Sequence, residues 1–307
     1  MEPFPRLTVD DVMLTESCGQ HEPANKPLIE EPTDTWADTE RGDNAIRPLR
    51  GFWMLGAQLK KHGVRVKNHF DAEVSTDHAD VLMLFCCLIS GFIDSTTYNA
   101  YGTFVSMQTG NTIFIGIGSS TGQSILEPRG WVKSVVSIAS FILGSFFFSR
   151  LHRLFTPLRR STLVSSFLLQ SIFVFVTASL TRADILSGSA IRSKTDWEPE
   201  ISIALLSFQS AGQLVGSRVL SLSEIPSVVV TSVLCDLASD PQLVTGWNSN
   251  IKRNRRTLAF LGILVGALAG GWLSARTGRI QGPLQVSGGL KIMVTLAWVV
   301  WPEKIKG

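Results

Sequence analysis

Charge is scarce in most of this chain. Only 17% of its 307 residues are Asp, Glu, Lys or Arg, against roughly 25% in an ordinary globular domain. The scarcity is uneven, because residues 1–80 hold 24 of them and residues 81–307 only 29. That split excludes a soluble domain running from end to end. Histidine is absent from every apolar run, since His21, His62, His69, His78 and His152 all lie outside them. No HExxH, GxSxG, GxGxxG or phosphate-loop motif occurs either. A serine–histidine triad or a histidine-ligated metal at membrane depth is therefore not expected, and the chain reads as a non-enzyme with no cofactor and no metal. Cysteine is rare too. Cys18, Cys86, Cys87 and Cys235 have no framework or zinc spacing and are expected to pack as small hydrophobes. The start, MEPFPRLTVDDVMLTESCG, lacks the basic n-region and apolar core of a signal peptide. A net charge of +3 with no nucleic-acid module gives no reason to expect a nucleic-acid partner.

What is present divides into a polar leader and an apolar body. Residues 1–45 carry 11 acids against three bases, with five prolines. Such a segment buries too little apolar surface to offset its ordering entropy, so disorder is expected over 1–75. Within it, residues 46–70 form a basic juxtamembrane flank with six Lys or Arg, no acid, and the cluster Phe52-Trp53-Met54-Leu55. That pattern fits either a plain orienting flank or a segment lying on an anionic leaflet.

The body, 76–307, contains eight apolar runs at about 81–101, 103–119, 132–149, 161–181, 200–220, 225–238, 257–275 and 285–301. The run 257–275 has no charge in 19 residues, enough for a membrane span. Trp131, Trp247, Trp298 and Trp301 sit near run ends, where an aromatic belt is expected. Two runs are irregular: 225–238 is short, and 103–119 is broken by Gly110, Gly116 and Gly118. Irregular backbone survives at membrane depth only when buried in protein or lining a cavity. The runs also read as four used twice, over about 80–181 and 200–301. Gly144 and Arg150 match Gly270 and Arg276 at one offset, and Val105–Thr109 matches Ser227–Thr231 at a similar one. Counting basic residues gives 17 inside and seven outside for six spans or for eight. The short basic loop 150–160 favours six, with the N-terminus cytoplasmic. Three spans per repeat make the halves inverted, a plan common in transporters. The fold class expected is therefore all-α, a polytopic transmembrane helical bundle of about six spans plus two short or broken segments.

Gly91-Phe-Ile-Asp94, Gly102-Thr-Phe-Val105 and Gln108-Thr-Gly-Asn-Thr112 resemble the YoaK-like membrane proteins, the family of domain of unknown function 1275. Phe208 to Gln213 and Leu222 to Asp240 are similar to that family's fungal branch. The resemblance covers about residues 80–301 and implies a polytopic membrane protein of about six helices, with no established activity. The second half departs internally: Thr231-Ser232-Val233 stands where the first has Thr109-Gly110-Asn111.

Several polar residues lie in the apolar runs. Asp94 reads as a proton- or ion-coupled site, or as a carboxylate capped by Ser95, Thr96 or Thr97 near the surface. Gln108, Thr109, Gly110 and Asn111 read as a half-helix start aiming free N–H groups at a solute, or as a packing turn. Gln209 and Gln213 read as facing Asp94, or as interhelical glue. Asp236 follows the second broken run, as a cap or in water. Lys291 reads as a partner for Asp94 or Asp236, or as a snorkelling base. Gly262, Gly266 and Gly270 form a small-residue ladder expected to pack helices within the fold or between protomers. These residues support two readings. One is a secondary transporter or channel-like carrier that moves a small solute, with proton coupling at Asp94. The other is a non-transporting membrane scaffold or sensor. The partners expected are the lipid bilayer, a small solute or proton, and a second copy of the chain.

Overall fold

The computed structural model describes residues 60–121, 130–188, 197–222, 225 and 230–304. The acidic stretch and the Phe52–Leu55 cluster lie outside the described residues. The helices are α1 (60–71), α2 (Ala79–Tyr101), α3 (Gln108–Thr121), α4 (Gly130–Leu154), α5 (Arg160–Arg182), α6 (Glu198–Val219), α7 (Val230–Ala238), α8 (Ile251–Thr277) and α9 (Gln281–Val300). Among the described residues the only β pairing is two isolated bridges, Glu73–Arg159 and Val74–Glu303. The expectation of disorder as far as residue 75 is corrected, because 60–71 is helical and 73–74 are paired. The acids thin out there, so the basic stretch is free to coil.

Five helices, α2, α4, α5, α8 and α9, are long and apolar enough to cross a membrane. α6 has 22 residues, about 33 Å of helix at 1.5 Å per residue. Its Ser202, Ser207, Gln209, Ser210, Gln213 and Ser217 are buried against other helices, so its polar groups face protein. Local signals set the ends. Gly102 and Gly278 adopt the left-handed conformation and donate back to Tyr98 O and Ser274 O; only glycine does so at no steric cost. Asn250 caps α8 by accepting from Arg253 N–H at 2.9 Å. Pro199 occupies the first turn of α6.

Side-chain pairings fix the directions. Gly262 meets Leu84 and Gly270 meets Phe92, so α8 runs parallel to α2. Ser137 meets Ser207 and Phe148 meets Gly212, so α4 runs parallel to α6. Gln213 meets Cys86 and Ser90, while Ser210 meets Val105 beside Asp94, so α6 opposes α2. Phe175 meets Gly288 and Phe167 meets Trp298, so α5 opposes α9. α2, α4, α5, α6, α8 and α9 therefore alternate in direction, and neither α3 nor α7 crosses. The first helix of each half packs along the third helix of the other, with opposite polarity in the two halves. Gly144 sits on Phe208 O as Gly270 sits on Phe92 O.

The ladder of Gly262, Gly266 and Gly270 packs α8 on α2. A Cβ at Gly266 would strike Leu88 O and one at Gly91 would strike Ile263 O. At one face the chain's described ends are tied together. Val74 N–H donates to Leu158 O, Ser75 N–H to Pro302 O and Lys304 N–H to Glu73 O. Arg160 is 1% exposed and donates to His69 O, to Trp301 O at 2.7 Å and to Glu303 at 3.3 Å. The belt expectation fails for Trp298, which is fully buried against Phe167. Cys86 and Cys87 pack in the core as expected, whereas Cys235 is exposed.

Candidate functional site

α2 ends at Tyr101, and the chain turns back along it before α3 begins at Gln108. Asp94 explains the return. It is 5% exposed, and its Oδ1 accepts from the Val105 and Ser106 N–H groups, both at 2.9 Å. Ser106 Oγ donates to its Oδ2. The expected caps Ser95, Thr96 and Thr97 instead donate back to carbonyls of their own helix, at Phe92, Ile93 and Asp94. A carboxylate that accepts two backbone N–H groups and one hydroxyl offsets part of the cost of its burial. Ser210 of α6 holds the same turn from the other side, donating to Val105 O at 2.8 Å.

The polar head of α3 is engaged as well. Asn111 is buried, and its Nδ2 donates to Phe104 O, Gln108 Oε1 and Ser137 Oγ at 2.8–2.9 Å. Phe104 N–H donates to Asn111 Oδ1, and Gln108 Nε2 to Val105 O. Gly110 lies under the Phe104 ring, where a Cβ would come within 2.9 Å. Thr109 is exposed and stands apart from this cluster. In the second half, Val233 is buried and Val230 begins α7. Valine, not an amide, stands there at the position that corresponds to Asn111.

Beside Asp94 lies a cavity of about 110 Å³. It is walled by Ser90, Asp94 and Ser95 of α2, by Ser106 and Met107 ahead of α3, by Val230 and by Ile263 and Ala267 of α8. The starts of both short helices therefore reach one cavity.

Lys291 corrects an expectation. It is 1% exposed and pairs with neither Asp94 nor Asp236. Its ammonium donates to Gln170 Oε1 and Gln213 Oε1, both at 3.0 Å. Gln213 Nε2 donates onward to Cys86 O and to Ser90 Oγ at 2.9 Å. Gln213 therefore links Lys291 to the wall of the cavity rather than facing Asp94 itself. Gln209 is buried, with its Oε1 unpartnered among the described residues. Asp236 is 58% exposed and pairs with Arg256 at 3.5 Å, away from the cavity. Sequence reasoning missed Ser106, Ser137, Ser210 and Gln170, ordinary polar residues whose role appears only through their partners. Among the described residues no group of three or more His, Cys, Asp or Glu is placed to hold a metal.

A bundle of long apolar helices with opposed halves and a buried acid between two short helices defines an integral membrane protein. Residues 82–297 match the family described as Protein of unknown function (DUF1275), and the chain belongs to that family. The match identifies the family and not a branch of it. No curated protein and no solved structure matches the chain.

Proposed function

We propose that the protein is a secondary transporter of a small solute that works by alternating access, with a proton carried on Asp94. One observation carries this reading: two non-crossing helices start at a single cavity beside Asp94, in a bundle whose halves run in opposite directions. Such an arrangement has two nearly equivalent ways to pack. In the first half the α4–α6 seam is closed by Asn111 and Gln108 on Ser137. In the second half the corresponding α2–α8 seam keeps a cavity. Exchange of these two states moves the barrier from one side of Asp94 to the other. Binding and release of a proton at Asp94 bias the exchange, because the carboxylate holds the turn before α3 and the neutral acid holds it less well.

The N-terminal side faces the cytoplasm in this reading. On that face α1 brings Lys60, Lys61, Arg65 and Lys67, and the start of α8 brings Lys252, Arg253, Arg255 and Arg256. The opposite face has, among the described residues, only Lys133, Arg182, Arg276 and Arg279, as the positive-inside rule requires. The solute, the proton and a second copy of the chain as lateral partner belong to the proposal. The test is flux of radiolabelled solutes into proteoliposomes with and without a pH gradient. Wild type should show gradient-dependent uptake of at least one solute class. Asp94→Asn should remove the gradient dependence, and Asn111→Ala should change the rate. Uptake by Asp94→Asn that still follows the pH gradient would overturn the role of Asp94.

A further inference from the structure

Three short segments meet where the chain's described ends are tied. Residues 72–75, ahead of α2, lie between residues 157–160, ahead of α5, and residues 302–304, after α9. The Glu73–Arg159 pair is flanked by Val74 N–H on Leu158 O and Arg160 N–H on Ala72 O, each at 2.9 Å. The Val74–Glu303 pair is flanked by Ser75 N–H on Pro302 O and Lys304 N–H on Glu73 O, each at 2.9 Å. Bonds beside a pair, rather than within it, mark the close, non-hydrogen-bonded kind. The three segments belong to two groups of helices. α8 and α9 pack on α2: Gly266 sits on Leu88 O, and Leu82 and Phe85 share a groove with Met293 and Ala297. α4 and α5 pack on α6: Gly144 sits on Phe208 O, and the Phe173 and Phe208 rings lie 5.1 Å apart. The groups meet along α5 and α9, through Phe167 on Trp298 and Lys291 on Gln170, and where Gln213 of α6 reaches Ser90 of α2. Residues 72–75 and 302–304 continue α2 and α9 of one group, and residues 157–160 open α5 of the other. The Glu73–Arg159 pair therefore crosses between the groups, whereas the Val74–Glu303 pair stays within one.

We propose that the contacts crossing between residues 71–75 and 157–160, with the bonds of Arg160, form a latch that shuts the route from the cavity beside Asp94 to this face. The inference rests on the transport reading and adds its gate. A barrier that moves from one side of Asp94 to the other must part on this face in one state, and the contacts across it are of a kind that can part. They are backbone bonds at the edge of the molecule and an ion pair, Arg159–Asp71 at 2.6 Å, whose side chains are 33% and 36% exposed. Exposed backbone bonds with few buried apolar contacts mark segments that open locally at low cost. The released N–H, C=O and carboxylate groups pass to water. Arg160 is buried, but its acceptors are the carbonyls of His69 and Trp301, the His69 ring and the exposed carboxylate of Glu303. Its departure strands no buried acid. The Val74–Glu303 pair, with Val74 fully buried, holds α9 to the start of α2 and moves with them as one piece.

The test uses the full chain in sealed vesicles and does not require flux. In a non-hydrogen-bonded pair the Cα atoms lie about 4.5 Å apart, within reach of a disulfide. Two chains are made, one with Glu73→Cys and Arg159→Cys, the other with Val74→Cys and Glu303→Cys. Both carry Cys18→Ser, Cys235→Ser and Met107→Cys, since Met107 lines the cavity beside Asp94. Vesicles are captured through a tag after Gly307, so that the tied face is outward, and labelled with a membrane-impermeant maleimide. Oxidation of the Glu73→Cys, Arg159→Cys chain should slow labelling at Met107→Cys about tenfold or more, because the rate follows the fraction of open chains. Reduction should restore it. Oxidation of the Val74→Cys, Glu303→Cys chain should leave labelling unchanged. Labelling indifferent to the first disulfide, equal slowing by the second, no labelling in the reduced chains, or failure of the first disulfide to form overturns the inference. Disulfide-sensitive labelling without solute uptake in proteoliposomes would remove the transport reading and leave the latch standing. Uptake driven by a pH gradient that survives the first disulfide would do the reverse.

Discussion

At the scale of single residues, two buried charges dominate, and each is held by neutral groups. Asp94 accepts from Val105 N–H, Ser106 N–H and Ser106 Oγ. Asp94→Ala leaves two backbone N–H groups without partners, and buried donors in that state cost about 1–3 kcal/mol each. The expected loss is about 3 kcal/mol, read as a lower thermal midpoint in detergent. Asp94→Asn keeps an acceptor for both N–H groups and should melt within a few degrees of wild type. Lys291 donates to Gln170 and Gln213. Lys291→Met leaves both amide oxygens facing apolar surface and should cost about 2–4 kcal/mol. Replacing Gln170 and Gln213 with Leu in the same chain should recover most of that loss, because a wholly apolar substitute avoids the desolvation penalty. Failure of the triple variant to recover would mean that the amides do more than hold the ammonium. The importance of Asp94 and Lys291 was legible in the sequence, since charge in an apolar run is conspicuous. Their partners were not. Ser106, Gln170 and Ser137 look like any other polar residue until the chain brings them to a charge from a distant segment.

At the scale of elements, the glycines separate sharply by place. Gly266 lies against Leu88 O, whereas Gly271 has open space around its missing Cβ. Gly266→Ala should push α8 off α2 and lower the thermal midpoint by several degrees. Gly271→Ala should be neutral or slightly stabilising, because alanine gains about 0.8–1 kcal/mol of helix propensity over glycine. Equal effects at the two positions would refute the close packing of α2 and α8. The ladder's role in packing was readable from its four-residue spacing. The sequence also marked both broken runs, and it marked a departure between them, Thr231-Ser232-Val233 where the first has Thr109-Gly110-Asn111. The first becomes a 14-residue helix anchored by Asn111; the second is a nine-residue helix, mostly exposed, with Asp236 in water. One amide separates the two segments. Val233 stands near the register of Asn111 in the proposed repeat and cannot reach a hydroxyl on the neighbouring helix.

For the whole molecule, alternation of six helix directions decides what basic residues alone left undecided, because a count of them is the same for six spans or eight. Reporter tags inserted at 156–157 and at 243–244 should report the same side of the membrane, and tags at 185 or 278 the other. A tag at 156–157 on the far side from one at 243–244 would refute the arrangement. Long-range pairing was legible only in outline, since the repeat offsets matched Gly144 with Gly270 without saying that each packs against the other half. The tie between the chain's described ends also has a consequence for biogenesis. Arg160 opens α5, yet its buried guanidinium relies on Trp301 O and Glu303, some 140 residues later. During synthesis that cation therefore has only His69 beside it, and lacks the rest of its acceptors, until residues 301–303 emerge. Insertion of the early helices and completion of the bundle are separate events. A ribosome stalled at residue 295 should leave an inserted chain that proteases cut readily within 155–160, and release past residue 304 should protect it.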